Sequence, residues 1–259
     1  MNGRILLLWF GLVLATAAQR IRAEWIQGEA GSEISTVAGV VHQHFTLADD
    51  AAGGNTTLDL VRFSPKSARL RLIDNPNRQD LSAALSPTTA LAAVNGGYFD
   101  ESFRPLGLRI NAGTTVSPLV RGRLMTGVLA CSGSRIQVLR VGEFRQSHGL
   151  ATALQCGPFL IDRGAAVPGL NRDRVARRTF AATTTTGDAI LGYCSSASLG
   201  ELPAVLKAAA GPNNIQRALN LDGGSSSAFW FRRKDGTTFS IPEQKDVRDF
   251  VAVVPAGLP

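Results

Sequence analysis

The chain has 259 residues, of which 44% are hydrophobic and 18% charged, and its formal net charge is +7. This composition excludes an intrinsically disordered chain and indicates one large or two small folded domains. The basic excess favours anionic partners such as phosphate-bearing glycans or lipid head groups. Nucleic acid is disfavoured, because the sequence contains no recognition helix and no basic motif interleaved with aromatic residues.

Residues 1–18 have the layout of a secretory signal peptide. Arg4 supplies a positive start, residues 5–14 are apolar, and small residues at 15–18 suit a signal peptidase. Cleavage after Ala23 and an uncleaved anchor helix are the alternatives, although the apolar run is short for a bilayer span. We therefore expect a secreted or periplasmic protein whose domain covers 24–259, without stable membrane insertion after processing.

Strands dominate the predicted elements of the first half. Residues 24–50 look irregular and lead into a polar turn at 49–55. Alternating apolar and polar residues at 57–63 and 69–73 predict a hairpin of half-buried strands. Asp80 is placed to cap a short helix over 81–85. Further strands are expected at 90–94, 107–111, 126–131, 135–141 and 152–155.

The second half contains the densest basic patch, residues 172–179, followed by predicted strands at 180–185 and 189–194. The clearest helix covers 199–210, because Ser198 and Glu201 have capping-box spacing and Gly211-Pro212 would stop it. The remaining strands are expected at 218–221, 228–231 and 250–254, with a charged turn at 232–236. Many strands and few helices predict a single α+β domain of mixed, mainly antiparallel β-sheet with a few packed helices.

Asp222 follows a predicted buried strand and precedes two glycines and three serines. Such a strand holds an acidic residue at one fixed point, while Gly223 and Gly224 allow a sharp turn and a close approach to a ligand. The serine amides and hydroxyls are suited to an anion such as phosphate. The alternative is a glycine-rich hairpin turn with a solvated aspartate. A second loop of similar construction, residues 94–100, favours the functional interpretation.

The cysteines and histidines indicate no metal site. The three cysteines permit one disulfide and one free thiol, and the pairing stays open; they are Cys131, Cys156 and Cys194. None has CxxC spacing, and no histidine or carboxylate cluster has metal-ligand spacing, so we expect neither a metal nor a cofactor. Residues 223–227 also fail the G-x-S-x-G pattern of a serine hydrolase.

Four short motifs follow one another along the chain. They are Asn95-Gly96-Gly97-Tyr98-Phe99, Gln155-Cys156-Gly157-Pro158, Arg178-Thr179 and Leu221-Asp222-Gly223-Gly224-Ser225-Ser226. In this order and spacing they resemble the phosphodiester glycosidase family, over residues 58–254. The resemblance implies an exported hydrolase of mixed α/β fold that cleaves a sugar from a sugar-1-phosphodiester. It also implies that the four loops line one pocket.

The chain departs from the family pattern at two places. Ser225 stands where a third glycine is usual, and Phe180 follows the arginine motif where the family has a small residue and then glycine. Because both positions adjoin the expected pocket, the identity of the sugar is not carried over from the family.

Asp222 is the predicted catalytic carboxylate, acting as nucleophile or as base for water. A structural aspartate that accepts from the amides of its own turn is the alternative. Arg178 is the predicted phosphate clamp, because a guanidinium binds two phosphate oxygens in a fork. Arg177 competes for this role, and alternation along a strand allows only one of the pair to face the site. A solvated surface arginine is the other alternative.

Asn95, the third predicted catalytic residue, is expected to bind sugar hydroxyls or phosphate, with a plain turn as its alternative. Tyr98 is expected to stack on the sugar or donate to phosphate, unless it is a core aromatic. Asp100 is a candidate second carboxylate, and Arg248 a second clamp. The other predicted substrate-binding residues are Gly96, Gly97, Gln155, Gly157, Thr179, Gly223, Gly224, Ser225 and Ser226.

The sequence thus predicts a hydrolase acting on a sugar-1-phosphodiester or phosphoglycan of an envelope or extracellular glycan. One alternative is a non-catalytic protein that binds anionic glycans with the same fold. Another is a phosphodiesterase that cuts the P–O bond.

Overall fold

The structure, a computed structural model, describes residues 24–50, 53–210 and 215–257. The predicted signal peptide and the predicted helix stop at Gly211-Pro212 lie outside these residues. Within them, no helix combines the length and the apolar character needed to cross a bilayer.

Strands make up most of the described chain. In chain order they are β1 (Trp25–Ile34), β2 (Val41–Asp49), β3 (Asn55–Phe63), β4 (Ala68–Asp74), β5 (Ala92–Asn95), β6 (Arg109–Asn111), β7 (Thr114–Ser117), β8 (Gly127–Ser132), β9 (Arg135–Arg140), β10 (Leu150–Cys156), β11 (Phe159–Asp162), β12 (Ala165–Ala166), β13 (Ala176–Thr184), β14 (Ala189–Ala197), β15 (Ile215–Asn220), β16 (Phe229–Arg232), β17 (Thr238–Ile241) and β18 (Asp249–Pro255). The helices are α1 (Leu81–Leu85), α2 (Leu202–Ala210) and one 3₁₀ turn (Gly224–Ser226).

The described strands form three antiparallel sheets. An eight-stranded sheet has the order β1-β2-β3-β14-β13-β15-β11-β12, and two five-stranded sheets have the orders β7-β6-β10-β8-β9 and β17-β16-β5-β18-β4. The α+β prediction is therefore correct in its antiparallel sheet and its single domain but wrong in its balance. With two short helices among the described residues, the fold is mainly β.

The largest core cluster lies where residues of all three sheets meet, for example Leu191, Leu129 and Phe229. A second cluster lies under α2, whose Leu202, Val205 and Leu206 are buried with residues of the eight-stranded sheet. Burial of a large aliphatic side chain contributes about 1.5–3 kcal/mol, so α2 is held mainly by this apolar face.

Both predicted helix caps are present. The Asp80 carboxylate accepts from the Ala83 amide at 2.8 Å at the start of α1. Before α2, the Glu201 carboxylate accepts from the Ser198 amide at 2.8 Å, and the Ser198 hydroxyl accepts from the Glu201 amide at 3.2 Å. This capping box closes a turn, and the helix begins at Leu202, three residues later than predicted.

Two predictions about the first half were wrong. Residues 24–50 are not irregular, because β1 and β2 pair with each other and β2 continues onto β3. The proposed hairpin of residues 57–63 and 69–73 does not form either. β3 pairs with β2 and β14, whereas β4 pairs with β18 in another sheet. A turn at 64–67 carries the chain between the two sheets.

All three cysteines are buried and free, so the single disulfide that the cysteine count permits does not form. Burial raises the pKa of each thiol, and the pKa of Cys156 rises to about 12. The thiols therefore stay protonated at neutral pH and pack as small apolar side chains.

The glycine and serine stretch at 222–227 is not a hairpin turn, because the strands on either side of it belong to different sheets. β15 lies in the eight-stranded sheet, and β16 pairs with β5 and β17. The stretch therefore crosses from one sheet to the other and holds Asp222 at the junction.

Candidate active site

The loop after β5 and the loop after β15 meet at the junction between two sheets. The Asp222 amide donates to the Gly96 carbonyl at 3.1 Å. The Asn95 side-chain amide donates to the Asp222 carbonyl at 2.8 Å. The two glycine loops that the sequence pairs by their similarity are thus directly bonded to each other.

Asn95 fixes this junction from beneath. Its side chain is completely buried, and its Oδ1 accepts from the Thr179 hydroxyl at 2.6 Å and from the Ala228 amide at 3.0 Å. One amide group therefore joins β13, the Asp222 turn and the entry to β16. With these three bonds made inside the protein, Asn95 acts on Asp222 through the backbone and does not face a ligand.

Gly96 and Gly97 accommodate a buried ion pair. Arg109 Nε lies 2.7 Å from Asp249 Oδ2, and the two side chains are 1% and 3% exposed. A Cβ on Gly96 would lie 1.8 Å from Asp249 Oδ1, and one on Gly97 would lie 2.1 Å from Arg109 Nη2. Asp249 also accepts from the Gly97 amide at 2.9 Å, and Arg109 donates to the Tyr98 carbonyl at 3.2 Å. The Arg109–Asp249 pair therefore requires glycine at positions 96 and 97, and it sets the path of the loop.

Gln155 is also buried and structural. Its Oε1 accepts from the amides of Leu108 and Val120, both at 3.0 Å. Its Nε2 donates to the carbonyls of Val120 at 2.7 Å and Met125 at 3.2 Å. The side chain therefore fastens the 118–126 loop to the sheet and leaves no polar atom for a substrate.

A cleft of about 460 Å³ opens above these buried supports. Its lining residues are Tyr98, Leu124, Pro158, Asn171, Arg174, Ala176, Arg178, Leu199, Asn220, Asp222, Gly223, Gly224, Ser225 and Lys245. Asp222 is the one carboxylate in this lining, and it is accompanied by three cations, Arg174, Arg178 and Lys245. A cleft with this charge pattern is suited to an anionic ligand placed beside a single carboxylate.

Burial raises the pKa of Asp222 above the ordinary carboxyl value, and the nearby Asp249 acts in the same direction. The Ser226 hydroxyl, the Lys245 ammonium and the Gly223 amide favour the charged form and offset part of this shift. The Gly223 amide donates to Asp222 Oδ1 at 2.9 Å. A half-buried carboxylate of raised basicity is a suitable proton acceptor or nucleophile.

Arg178 is held by its own neighbours so that one edge of its guanidinium stays available. Nε donates to the Ala197 carbonyl at 2.9 Å, and Nη2 donates to the Arg174 carbonyl at 2.5 Å. None of the hydrogen bonds between described residues uses Nη1. Burial, with the charge of Arg174 second, lowers the pKa of Arg178, but a guanidinium remains a cation at neutral pH.

Arg177 points elsewhere, as alternation along β13 requires. Its Nη2 donates to the carbonyls of Ser227 at 2.5 Å and Pro242 at 2.6 Å, and its guanidinium lies 5.1 Å from the centre of the Tyr193 ring. Of the two neighbouring arginines, Arg178 is therefore the one at the cleft.

Tyr98 forms part of the cleft wall. Its hydroxyl donates to the Gly157 carbonyl at 2.6 Å, and the Asn220 side-chain amide donates to the same carbonyl at 3.0 Å. Burial raises the pKa of Tyr98 well above that of a free phenol, so the hydroxyl stays protonated. Tyr98 thus lines the cleft while its hydroxyl is bonded to the backbone.

The two departures from the family pattern are accommodated by the backbone. Gly224 has φ +65°, a conformation that favours glycine, whereas Ser225 lies within the 3₁₀ turn and is exposed. A third glycine is therefore not required at 225. Phe180 packs against Gly192, where an added Cβ would lie 2.2 Å from Phe180 Cζ, and belongs to the core under α2. It does not line the cleft.

The predicted site residues fall into three groups. Those lining the cleft are Asp222, Arg178, Tyr98, Gly223, Gly224 and Ser225. Those buried outside its lining are Asn95, Gly96, Gly97, Gln155, Gly157, Thr179 and Ser226. Arg248 and Asp100 lie outside the lining as well: Arg248 is paired with Asp74, and Asp100 with Arg104.

The lining also includes residues that were not among the predicted site residues, and three of these are Arg174, Asn220 and Lys245. Arg174 lies in the basic patch that the sequence shows, where the Asn171 side chain accepts from its amide at 3.1 Å. Asn220 lies at the end of a recognised strand, so its place before Asp222 was a usable signal. Lys245 comes from a polar turn without any motif, and its Nζ lies 5.1 Å from the centre of the Phe99 ring.

Fold and cleft together define a mainly β protein with a cationic cleft around a single carboxylate at a sheet junction. The family model for phosphodiester glycosidases matches residues 88–254, and the chain belongs to this family. In the solved structures, the chain is similar to the catalytic domain of zebrafish N-acetylglucosamine-1-phosphodiester alpha-N-acetylglucosaminidase, described as auto-inhibited by its pro-peptide. The TM-score is 0.64 at 16% identity, covering 88% of each chain.

Two further similarities are more partial. A hypothetical protein from Synechocystis matches with a TM-score of 0.55 at 17% identity, covering 83% of this chain and 62% of that one. The uncharacterized protein YigE of Escherichia coli K12 is 28% identical over an alignment of 141 residues, with 48% of this chain and 56% of that protein's length covered. The structural similarities establish the fold, and the family supports a glycosidase-type function.

Proposed function

We propose that the chain is an exported glycoside hydrolase that cleaves the sugar–phosphate bond of a glycosyl-1-phosphodiester in an envelope or extracellular glycan. The observation that carries the proposal is one carboxylate, Asp222, facing a cleft whose other charged groups are the cations Arg174, Arg178 and Lys245. The family membership supports the reaction class, and the charge pattern of the cleft supports an anionic substrate.

In this reaction the bond between the anomeric carbon and the bridging oxygen breaks. The bonding electrons leave with the phosphate as a phosphomonoester, and water supplies the new hydroxyl on the sugar. A phosphate monoester leaves without needing a general acid, so one carboxylate is sufficient in principle. Asp222 would act as nucleophile or as base for the attacking water.

The three cations would bind the phosphate and stabilise the negative charge that builds on it as the bond breaks. Arg178 is the main clamp, because its outer edge is unoccupied and its orientation is fixed by two backbone carbonyls. Arg174 and Lys245 are more exposed and would complete the anion site. Tyr98 would supply a flat apolar wall for the sugar ring.

The proposal is tested with an aryl glycosyl-1-phosphodiester and the mature protein in oxygen-18 water. The expected products are free sugar carrying the heavy oxygen and an aryl phosphomonoester. Asp222→Asn should abolish turnover while keeping substrate binding, and Arg178→Gln should lower kcat/KM by roughly 10²–10³-fold. Asp100→Asn, a carboxylate outside the cleft, is the matched control and should leave turnover unchanged.

Two results would reject the proposed reaction. Heavy oxygen in the phosphate product would identify a phosphodiesterase that cuts the P–O bond. Binding of anionic glycans without hydrolysis of any diester in a broad panel would identify a non-catalytic binding protein. Export is tested separately, by fractionating cells that express the chain with and without residues 1–18.

A further inference from the structure

A group of exposed apolar side chains lies beside the cleft. They belong to a part of the chain that the family model matches but that contains none of the four sequence motifs. The members are 37–59% exposed, and we call them the apolar rim: Leu106, Val116, Leu119, Val120 and Leu124. Leu124 also lines the cleft. Soluble proteins usually scatter such residues singly, so a group within one short segment indicates an interaction surface.

The rim residues converge on one place. The Ser117 hydroxyl donates to the Pro105 carbonyl at 3.4 Å, which brings the strand carrying Val116 next to Leu106. The Gln155 side chain bonds the backbone of Val120 and that of Met125, the neighbour of Leu124. The rim is therefore one surface region formed by two neighbouring chain segments.

The position of Val120, in the middle of the rim segment, is fixed by the fold. The Gln155 amide bonds both the N–H and the carbonyl of Val120, and Gln155 itself is completely buried. A backbone held at both polar groups cannot rotate its side chain inward. The protein therefore holds the Val120 side chain at the surface, which is unfavourable unless a partner covers it.

The charges carried by the 116–124 segment of the rim are all positive. Arg121 and Arg123 lie between Val120 and Leu124 and are both exposed, and none of the ion pairs between described residues uses either of them. No acidic residue occurs in the sequence between Glu101 and Glu143. A second copy docked on this surface would bring the arginines of both copies together, so self-association is disfavoured.

We infer that the apolar rim with Arg121 and Arg123 docks on the surface of an anionic lipid bilayer. The leucine and valine side chains enter the interface, while the arginines bind the phosphates of the lipid head groups. Apolar burial and basic charge together are the two signals that stable peripheral binding requires. The protein would bind to the surface of the bilayer without crossing it, and the neighbouring cleft would then lie against the membrane. This inference is independent of the reaction proposed above.

The test is co-sedimentation of the mature protein with vesicles. Phosphatidylcholine mixed equally with phosphatidylglycerol should bind the protein, and phosphatidylcholine alone should not. Arg121→Gln with Arg123→Gln should weaken binding roughly tenfold or more. Leu119→Ser with Val120→Ser should weaken it to a similar degree, and raised salt should release the wild-type protein.

Matched controls lie on other surfaces of the protein. Arg135→Gln with Arg163→Gln removes two exposed arginines, and Ile26→Ser with Ile34→Ser removes two exposed apolar side chains; both pairs should bind as the wild type does. Absence of binding to anionic vesicles, or an equal loss of vesicle binding in the control variants, would overturn the inference. Turnover of a soluble substrate by the rim variants should be unchanged, so a failure of docking and a failure of the enzyme reaction give different results.

Discussion

Asp249→Asn removes the negative partner of a buried ion pair that sets the path of the loop entering the cleft. Arg109 then keeps its charge in a site where it is 1% exposed. Breaking a buried pair by removing one partner costs about 3–5 kcal/mol, because the remaining charge is desolvated without compensation. For a domain of this size, about 2–4 °C of Tm is lost per kcal/mol, so Tm should fall by roughly 6–20 °C.

The assay is thermal unfolding followed by circular dichroism, with Asp74→Asn as control. Asp74 pairs with Arg248, but its side chain is 45% exposed, and the median exposed pair is worth about 0–1 kcal/mol. The control should therefore change Tm by only a few degrees. The double variant Arg109→Met/Asp249→Leu should lose less than Asp249→Asn, because it leaves no unpaired charge. A Tm for Asp249→Asn within the range of the control would refute this account of Gly96 and Gly97.

Three further results are expected. Asp222→Asn should abolish turnover without lowering Tm at neutral pH. Because burial raises the pKa of Asp222 in the folded state, the charged carboxylate destabilises the fold when the pH is above that pKa. A clearly lower Tm for Asp222→Asn would contradict the burial argument. The value of kcat/KM should rise with pH through the raised pKa of Asp222, since the carboxylate is the reactive form, and a flat profile on the acid side would exclude it as base. Gln155→Leu should cost at least about 1–3 kcal/mol by leaving the 118–126 loop unfastened, measured by urea unfolding.

Local patterns in the sequence were sufficient for most individual strands and for both helix caps. The capping box of Ser198 and Glu201 and the cap of Asp80 depend on residues three apart, which the sequence displays directly. The partners of the strands were harder to predict. β3 and β4 look like a hairpin because they are close in sequence, yet each finds a partner more than a hundred residues away. Alternation indicates which side of a strand is buried but not which strand lies next to it.

In the site, too, local features could be predicted from the sequence, whereas contacts between distant segments could not. A strand followed by Asp222 and two glycines predicts a carboxylate at a fixed point, and the structure has it at a cleft. The pattern Asn-Gly-Gly is the same whether its glycines approach a ligand or, as here, the side chains of Arg109 and Asp249. Asp249 is distant in sequence from the loop, and Arg109 belongs to no motif, so the residues near Asn95 do not indicate the pair. Lys245 likewise reaches the cleft only through the tertiary fold.

The three buried thiols have a practical consequence for work on this protein. Because the fold contains no disulfide, it does not require an oxidising compartment and should form in a reducing cytosol during recombinant expression. The native thiols are shielded and protonated, so a cysteine introduced on the surface becomes the single reactive position for maleimide chemistry. A fluorophore attached in this way at residue 121 would report its own environment directly in the presence of vesicles.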